Sequence, residues 1–455
     1  MSASSSQSSS KARGPARSVK KRTGCEQCKK RRVKCDEQQP SCSRCVARGE
    51  TCTGNFRFTT WQIERPWASQ NKTPSIPGPA LEDETLRHWY DKACLVMALV
   101  PPPANPLSYP LARLLQHSRA LRHTLQSISG AHRAGFSVDS RLQALKERNL
   151  AIVSLQGEVG RVLSPISASN REVLLKTLIL SSLILCLSSS WLDPSGNDSS
   201  LEFLCGTRDI IPLLAELKSS DAFTFYILGF YLYMECFSSC LIPISKQKLP
   251  HPSILEVLTQ HPFDRMIHPV NGLSTTLYPI LIEIGYYYRQ QVEGSQHSPE
   301  QEMYLRQRLM DWKLPEHSFT SPHLTMLVEG YRSIGHIMLY QAQRVTTPLD
   351  SIDEKLLLQD VTGIMNITKT LPPNDTNLNW LAPLLVIVGG EIPPSQAEER
   401  AIIVTASEAL ASFTGVPNFK GNLECIEQVW RARDNGEETS WLQVMLKGEL
   451  VLALA

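Results

Sequence analysis

The chain has none of the short signatures that mark common enzyme sites. No G-x-S-x-G, H-E-x-x-H, G-x-G-x-x-G or P-loop occurs in its 455 residues, which argues against an enzyme. His132 reads as a structural histidine, capping or hydrogen-bonded in the core, and not a catalytic one. The paired acids Glu398-Glu399 and Glu437-Glu438 are chain neighbours that diverge on a helix, so they read as solvated charge. Met1-Ser2-Ala3 runs into serines with no apolar h-region, so neither a secretory leader nor an oxidising compartment is expected. No strand-like alternation dominates any segment, so little sheet is expected. Net charge is nearly absent as well, +2 for the whole chain. That balance hides an asymmetry. Residues 1–58 hold 14 Lys plus Arg against 4 Asp plus Glu, a net of +10, so residues 59–455 carry −8. A basic end attached to an acidic body suits nucleic acid at the basic end.

Cysteine is abundant in one place. Cys25, Cys28, Cys35, Cys42, Cys45 and Cys52 follow C-x2-C-x6-C-x6-C-x2-C-x6-C, the half-motif C-x2-C-x6-C written twice. A C-x2-C pair suits adjacent corners of a tetrahedral ion, and zinc takes four such ligands. One ion would leave two cysteines spare. Two Zn2+ ions need eight coordination positions from six sulfurs, so two thiolates must bridge. The duplication makes Cys25 and Cys42 the natural bridges. One ion would then take Cys25, Cys28, Cys35 and Cys42, and the other Cys25, Cys42, Cys45 and Cys52. A disulfide framework would need the oxidising compartment that the N-terminal residues speak against. The scattered Cys94, Cys186, Cys205, Cys236, Cys240 and Cys425 read as ordinary buried thiols. Two ions and six thiolates together contribute −2, leaving the loaded basic block near +8.

The two halves differ chemically. Between Cys28 and Cys35 lies Lys29-Lys30-Arg31-Arg32-Val33-Lys34, whereas Cys45 and Cys52 enclose Val46-Ala47-Arg48-Gly49-Glu50-Thr51. Only the first half suits phosphates and guanines. Its basic run reads as a brief helix pinned at Cys28, able to point side chains into a major groove. Lys29, Lys30 and Lys34 are expected on phosphates, and Arg48 on phosphate from the second half. Lys11, Arg13, Arg17, Lys20, Lys21 and Arg22 form a basic tail that reads as a backbone wrap or a nuclear import signal.

The array resembles the fungal binuclear zinc cluster family of transcription factors, through all six cysteines, the basic run and Pro40, over about residues 22 to 53. The resemblance implies Cys25 and Cys42 as bridging ligands, base contacts from Arg31 and Arg32, and a CGG-type triplet. It also implies a nuclear, non-enzymatic regulator of RNA polymerase II genes, with double-stranded DNA and the transcription machinery as partners. Its targets are left open between a secondary-metabolite biosynthetic gene cluster and amino acid or nitrogen catabolism. A protein-binding role for the zinc module is the remaining alternative, and the clustered cations speak against it.

The expected organisation is a basic, serine-rich disordered tail at 1–20, a zinc-folded module of short helices and loops at 21–55, a linker at 56–80 and a large all-α regulatory domain at 81–455. Residues 81–100 predict a helix stopped by Pro101-Pro102-Pro103, with Leu86, Tyr90, Ala93, Met97 and Val100 on one face. A coiled-coil dimeriser and hence a homodimer is one reading of that face. Two heptads are too few, and a helix packed on the large domain is preferred. A second face is predicted at 141–159 from Leu142, Leu145, Ile152, Leu155 and Val159. The apolar segments 172–188 and 223–243 are read as buried helices and not membrane spans, because Lys176 and Glu235 interrupt them. Trp430 and Trp441 lie in an acid-rich segment that reads as an activating region or a terminal helix pair.

The large domain also resembles the fungal-specific regulatory domain of such factors. The likeness rests on Ile128-Ser129-Gly130-Ala131-His132, Leu204-Cys205-Gly206-Thr207-Arg208, Trp380-Leu381-Ala382-Pro383-Leu384 and Trp430. It implies an all-helical domain that regulates activity, in some members in response to a small-molecule effector.

Overall fold

The structure is a computed structural model, and it describes residues 25–36, 42–50, 52, 83–134, 138–162, 164–165, 167–192, 201–315, 322–372, 375, 377–416 and 419–448. The expected basic tail and linker lie outside these residues. The chain divides into two compact units, Met1–Pro74 and Ser75–Ala455. The described residues are helices, turns and loops with no strand; His268 and Gly272 form an isolated antiparallel bridge.

Among the described residues the first unit has two short helices, α1 Glu26–Lys30 and α2 Ser43–Val46. Its apolar centre is the cysteines themselves, with Cys25, Cys28, Cys35, Cys42 and Cys45 buried and Cys52 packed against them.

The second unit opens with α3 Glu84–His88, a π-helical turn at Trp89–Ala93 and α4 Cys94–Val96. The Asp83 carboxylate starts α3 by accepting from the Thr85 and Leu86 N–H groups. Leu86, Trp89, Tyr90, Ala93 and Met97 are buried in the core of this unit. Stripping water from each large apolar side chain contributes about 1.5–3 kcal/mol. The stripe is therefore committed to the domain and is not a free coiled-coil seam. Short α5 Ala112–Leu115 leads to α6 Arg119–Ala134, which packs as a helical hairpin with α7 Val138–Val159.

The face expected on α7 is corrected in part by the structure: Ile152 and Leu155 pack on the core, as expected. Leu142, Leu145 and Val159 are exposed, while Ala144, Arg148, Ala151, Leu155 and Glu158 face inward. The reason is close approach. A Cβ built on Gly130 of α6 would lie 2.9 Å from the Ala144 Cβ, so this interface admits only small residues. Arg148 is drawn inward because its guanidinium donates to the Leu185 carbonyl at 3.0 Å and to Ser189 Oγ.

The centre is formed by α8 Ala168–Leu192, followed by α9 Leu201–Glu216 and α10 Ala222–Ser238. Helix α8 is long and apolar enough to cross a membrane, yet 83% of its apolar window is buried inside the unit. The two charges in these segments are partnered. Lys176 pairs with Glu172 at 2.6 Å and with Asp221. Glu235 is fully buried and accepts two bonds from Arg208, at 2.7 and 2.8 Å.

The rest wraps this centre: α11 Pro252–Thr259, α12 Tyr278–Val292, α13 Pro299–Asp311, α14 Pro322–Thr346 and α15 Ser351–Thr370. It ends with α16 Ala382–Gly389, α17 Ala397–Thr414, α18 Phe419–Asp434 and α19 Trp441–Lys447. Trp430 and Trp441 are buried in the last two, so this segment is a terminal helix pair. Buried Glu391 ties it down, bonding Arg344 at 2.9 Å and Arg433 at 2.9 and 3.1 Å. The signature residues are structural as well. His132 bonds His88 at 2.9 Å and the Thr414 carbonyl at 2.8 Å. The Trp380 and Trp430 indoles donate to the carbonyls of Val270 and Gly389.

Candidate metal centre and nucleic-acid interface

Helix α1 begins at Cys25, which caps it. The Cys28 N–H donates to the Cys25 sulfur at 3.4 Å. The expectation of a helix starting at Cys28 and running through the basic residues is thus corrected. Three residues of the helix precede Lys29, and it ends at Lys30. The end is a Schellman turn: Arg32 N–H donates to the Lys29 carbonyl and Val33 N–H to the Cys28 carbonyl. Such a turn needs a left-handed residue, and Arg32 supplies it with φ 56°.

The second half repeats the geometry. Cys42 stands at the N-cap position of α2, without the side-chain bond that Cys25 makes, Glu50 N–H donates to the Cys45 carbonyl, and Gly49 sits at φ 65°. In the duplicated motif Gly49 matches Arg32, and Glu50 matches Val33. Asp36 connects the halves, its carboxylate accepting from the Ser43 N–H at 3.1 Å. Hydrogen bonding to Ser43 holds the Asp36 carboxyl below its ordinary value.

The sulfurs fall into two groups of four, Cys25, Cys28, Cys35, Cys42 and Cys25, Cys42, Cys45, Cys52, sharing Cys25 and Cys42. Within each group the ligand atoms lie within 4.8 Å of one another. The Cys25–Cys42 separation is 3.8 Å, Cys28–Cys42 3.7 Å and Cys25–Cys45 3.7 Å. A tetrahedron with zinc–sulfur bonds of about 2.3 Å has edges of about 3.8 Å, so the donor set fits zinc. None of these cysteines is in a disulfide.

Electrostatics point the same way. The Cys28 N–H holds the Cys25 thiol down at about 6, whereas burial pushes Cys28 and Cys42 up and Cys45 to about 11. Crowded sulfurs cannot all ionise without a cation, and a pair of dications would supply what they lack. The thiols of Cys94, Cys186, Cys240 and Cys425 are each pushed up to about 12 by burial, the behaviour of core cysteines.

The cations separate into two sets. Lys29, Lys30, Arg32, Lys34 and Arg48 are exposed. Lys30 pairs loosely with Glu26 at 3.1 Å. Arg31 is turned inward: its guanidinium lies 3.0 Å from Glu50 and 3.4 Å from the Cys45 sulfur, tying the first half to the second. Sequence reasoning missed that pairing. Its signal was faint, one acid among the residues between Cys45 and Cys52.

With this geometry in view, comparison with known proteins identifies two families. Residues 84–454 match the fungal specific transcription factor domain, and residues 23–62 match the fungal Zn(2)-Cys(6) binuclear cluster domain. An uncharacterized transcriptional regulatory protein of Schizosaccharomyces pombe is 36% identical over 67 residues, covering 15% of this chain and 11% of that protein. No solved structure matches.

Proposed function

Because the chain belongs to the fungal specific transcription factor family, with a Zn(2)-Cys(6) cluster domain ahead of the regulatory domain, we propose that it recognises CGG-type triplets in nuclear DNA through the first half of its cluster. The protein is a zinc-binding, DNA-binding regulator of transcription. In the proposed arrangement two Zn2+ ions are held by Cys25, Cys28, Cys35, Cys42, Cys45 and Cys52, with Cys25 and Cys42 serving both. Bound there, the ions would supply positive charge to the thiolates, and Cys25 and Cys42, at the starts of α1 and α2, would tie both helices to them. The chain's own residues do the reading.

Arg32 carries the proposal. A left-handed conformation costs a non-glycine residue roughly 1–2 kcal/mol, and the matching position of the second half is glycine. An arginine kept there, exposed at the end of a helix pinned at both cysteines, has a reason beyond folding. Its guanidinium is free to meet guanine O6 and N7 in a major groove. Lys29, Lys30, Lys34 and Arg48 flank it and would lie on phosphates. Arg31 reaches a base only by leaving Glu50, so in this reading it sets the angle between the halves first and supplements Arg32 second.

The test is a mobility-shift titration of the zinc-loaded full chain on a CGG-containing duplex and on a scrambled duplex of equal length. Preferential retention of the CGG duplex, weakening steeply as salt rises, supports the proposal. Equal affinity for both duplexes contradicts triplet reading. No binding to either favours the protein-interaction alternative.

A further inference from the structure

Residues 59–455 carry a net charge of −8, yet one cleft of the second unit gathers cations. It has a volume of about 580 Å³ and lies where α6 begins and α7 ends. Arg119 and Arg122 come from the first turns of α6, Arg161 from the turn after α7, and His117 from the loop before α6, with Ser154 between them. None of the three guanidiniums makes an ion pair or a hydrogen bond with a described residue.

The placement is electrostatically unfavourable on its own terms. The start of a 16-residue helix carries partial positive charge, and cations there repel it. Glu158 is the acidic residue lining the cleft, and both its oxygens are already used. One accepts from Ser118 O–H at 2.7 Å and the other from the Ala120 N–H at 3.1 Å, while Ser118 Oγ accepts from the Leu121 N–H. Glu158 therefore serves the helix end; its single negative charge is set against three arginines in the cleft, and none of the three forms an ion pair with a described acid.

We propose that this cleft binds a small anionic effector bearing phosphate or paired carboxylate groups. Arginine presents a rigid fork that matches such oxyanions two bonds at a time. The cleft is concave and its volume falls in the range of small-molecule sites, which favours a metabolite over a duplex or a protein surface. The proposal is independent of the zinc module, so loss of DNA binding leaves it standing.

The experiment uses the zinc-loaded full chain and two probes that bind zinc weakly, inorganic phosphate and succinate. Thermal unfolding of the second unit is followed at constant ionic strength, with chloride as the reference. A saturable rise in melting temperature with either probe is expected. The probe that acts tells phosphate from carboxylate chemistry. The exposed pair Arg119→Gln and Arg161→Gln together should weaken that binding at least tenfold without lowering the probe-free melting temperature, while Arg113→Gln, outside the cleft, should not. Equal titrations for all variants, a response that never saturates, or one produced only by long anionic polymers would overturn the proposal.

Discussion

Arg32 and Gly49 hold the same place in the two halves of the cluster, both left-handed, at φ 56° and 65°. One half uses the residue that the backbone prefers and the other does not. In the proposed function, that difference separates a structural half from a reading half.

Replacing Arg32 by glycine should therefore leave the module at least as stable, since left-handed strain is relieved. It should also remove discrimination for the triplet by about 1–3 kcal/mol, the worth of one bidentate pairing with a base. Binding to CGG and scrambled duplexes, together with chemical denaturation, checks both parts. A glycine variant that keeps full sequence preference would show that Arg32 does not read bases.

Lys29→Gln and Lys34→Gln should behave differently. Both side chains are exposed, and the proposal sets them on phosphate. Each change should weaken all duplexes alike and reduce the slope of log affinity against log salt by about 0.9 for each phosphate no longer neutralised. A weakening confined to CGG sites would move these lysines from positioning to base reading.

Arg208 and Glu235 form a buried bidentate pair, backed by Tyr286 at 3.0 Å from the guanidinium. Glu235→Leu alone leaves an unpaired guanidinium inside the core and should cost about 3–5 kcal/mol. Arg208→Met combined with Glu235→Leu should recover most of that, because both charges are then gone. Urea unfolding of the single and double variants reads the difference. A double variant no better than the single would place the cost in packing.

Stability of the second unit should fall toward acid in two stages. His268 is fully enclosed: Nε2–H donates to the Phe225 carbonyl and Nδ1 accepts from the Val270 and Asn271 N–H groups. Burial lowers it from 6.5 to about 4. Its folded form resists a proton that the unfolded chain takes up, so stability present above 6.5 is lost between 6.5 and about 4. Burial pushes Glu391 up, but Arg433 and Arg344 outweigh it and hold the carboxyl at about 2 instead of 4.5. Its contribution is complete above 4.5 and is lost as pH falls toward about 2. Near-UV circular dichroism of the buried tryptophans during urea unfolding at several pH values tests this. A midpoint that stays level from pH 7 to 4 would contradict the first stage.

What the sequence disclosed was what is local. Six cysteines at fixed spacing dictate which sulfurs meet, because two- and six-residue connections leave little freedom. The structure gathers the same two groups of four. The stripe Leu86, Tyr90, Ala93, Met97 was legible for the same reason, being one helix face. What stayed hidden depended on distant partners. Arg31 turns to Glu50, nineteen residues on, and neither residue signals the other. Helix α7 buries Ala144 and Arg148 and exposes Leu142 and Leu145 because Gly130 brings α6 too close for leucine. Hydrophobicity alone placed Leu142, Leu145 and Val159 inward together with Leu155 and Ile152, and only the last two pack on the core. His268 and Glu391 left no mark in the sequence, since their burial is made by elements far apart in the chain.

The central claim is that two metal ions sharing Cys25 and Cys42 hold the reading turn in place. Native mass spectrometry of the full chain tests it most directly. The account predicts two zinc ions per chain, one after Cys52→Ser, none retained after Cys25→Ser, and loss of CGG binding in step with metal loss on chelation. A single ion in the unaltered chain, or DNA affinity unchanged after complete removal of zinc, would contradict it.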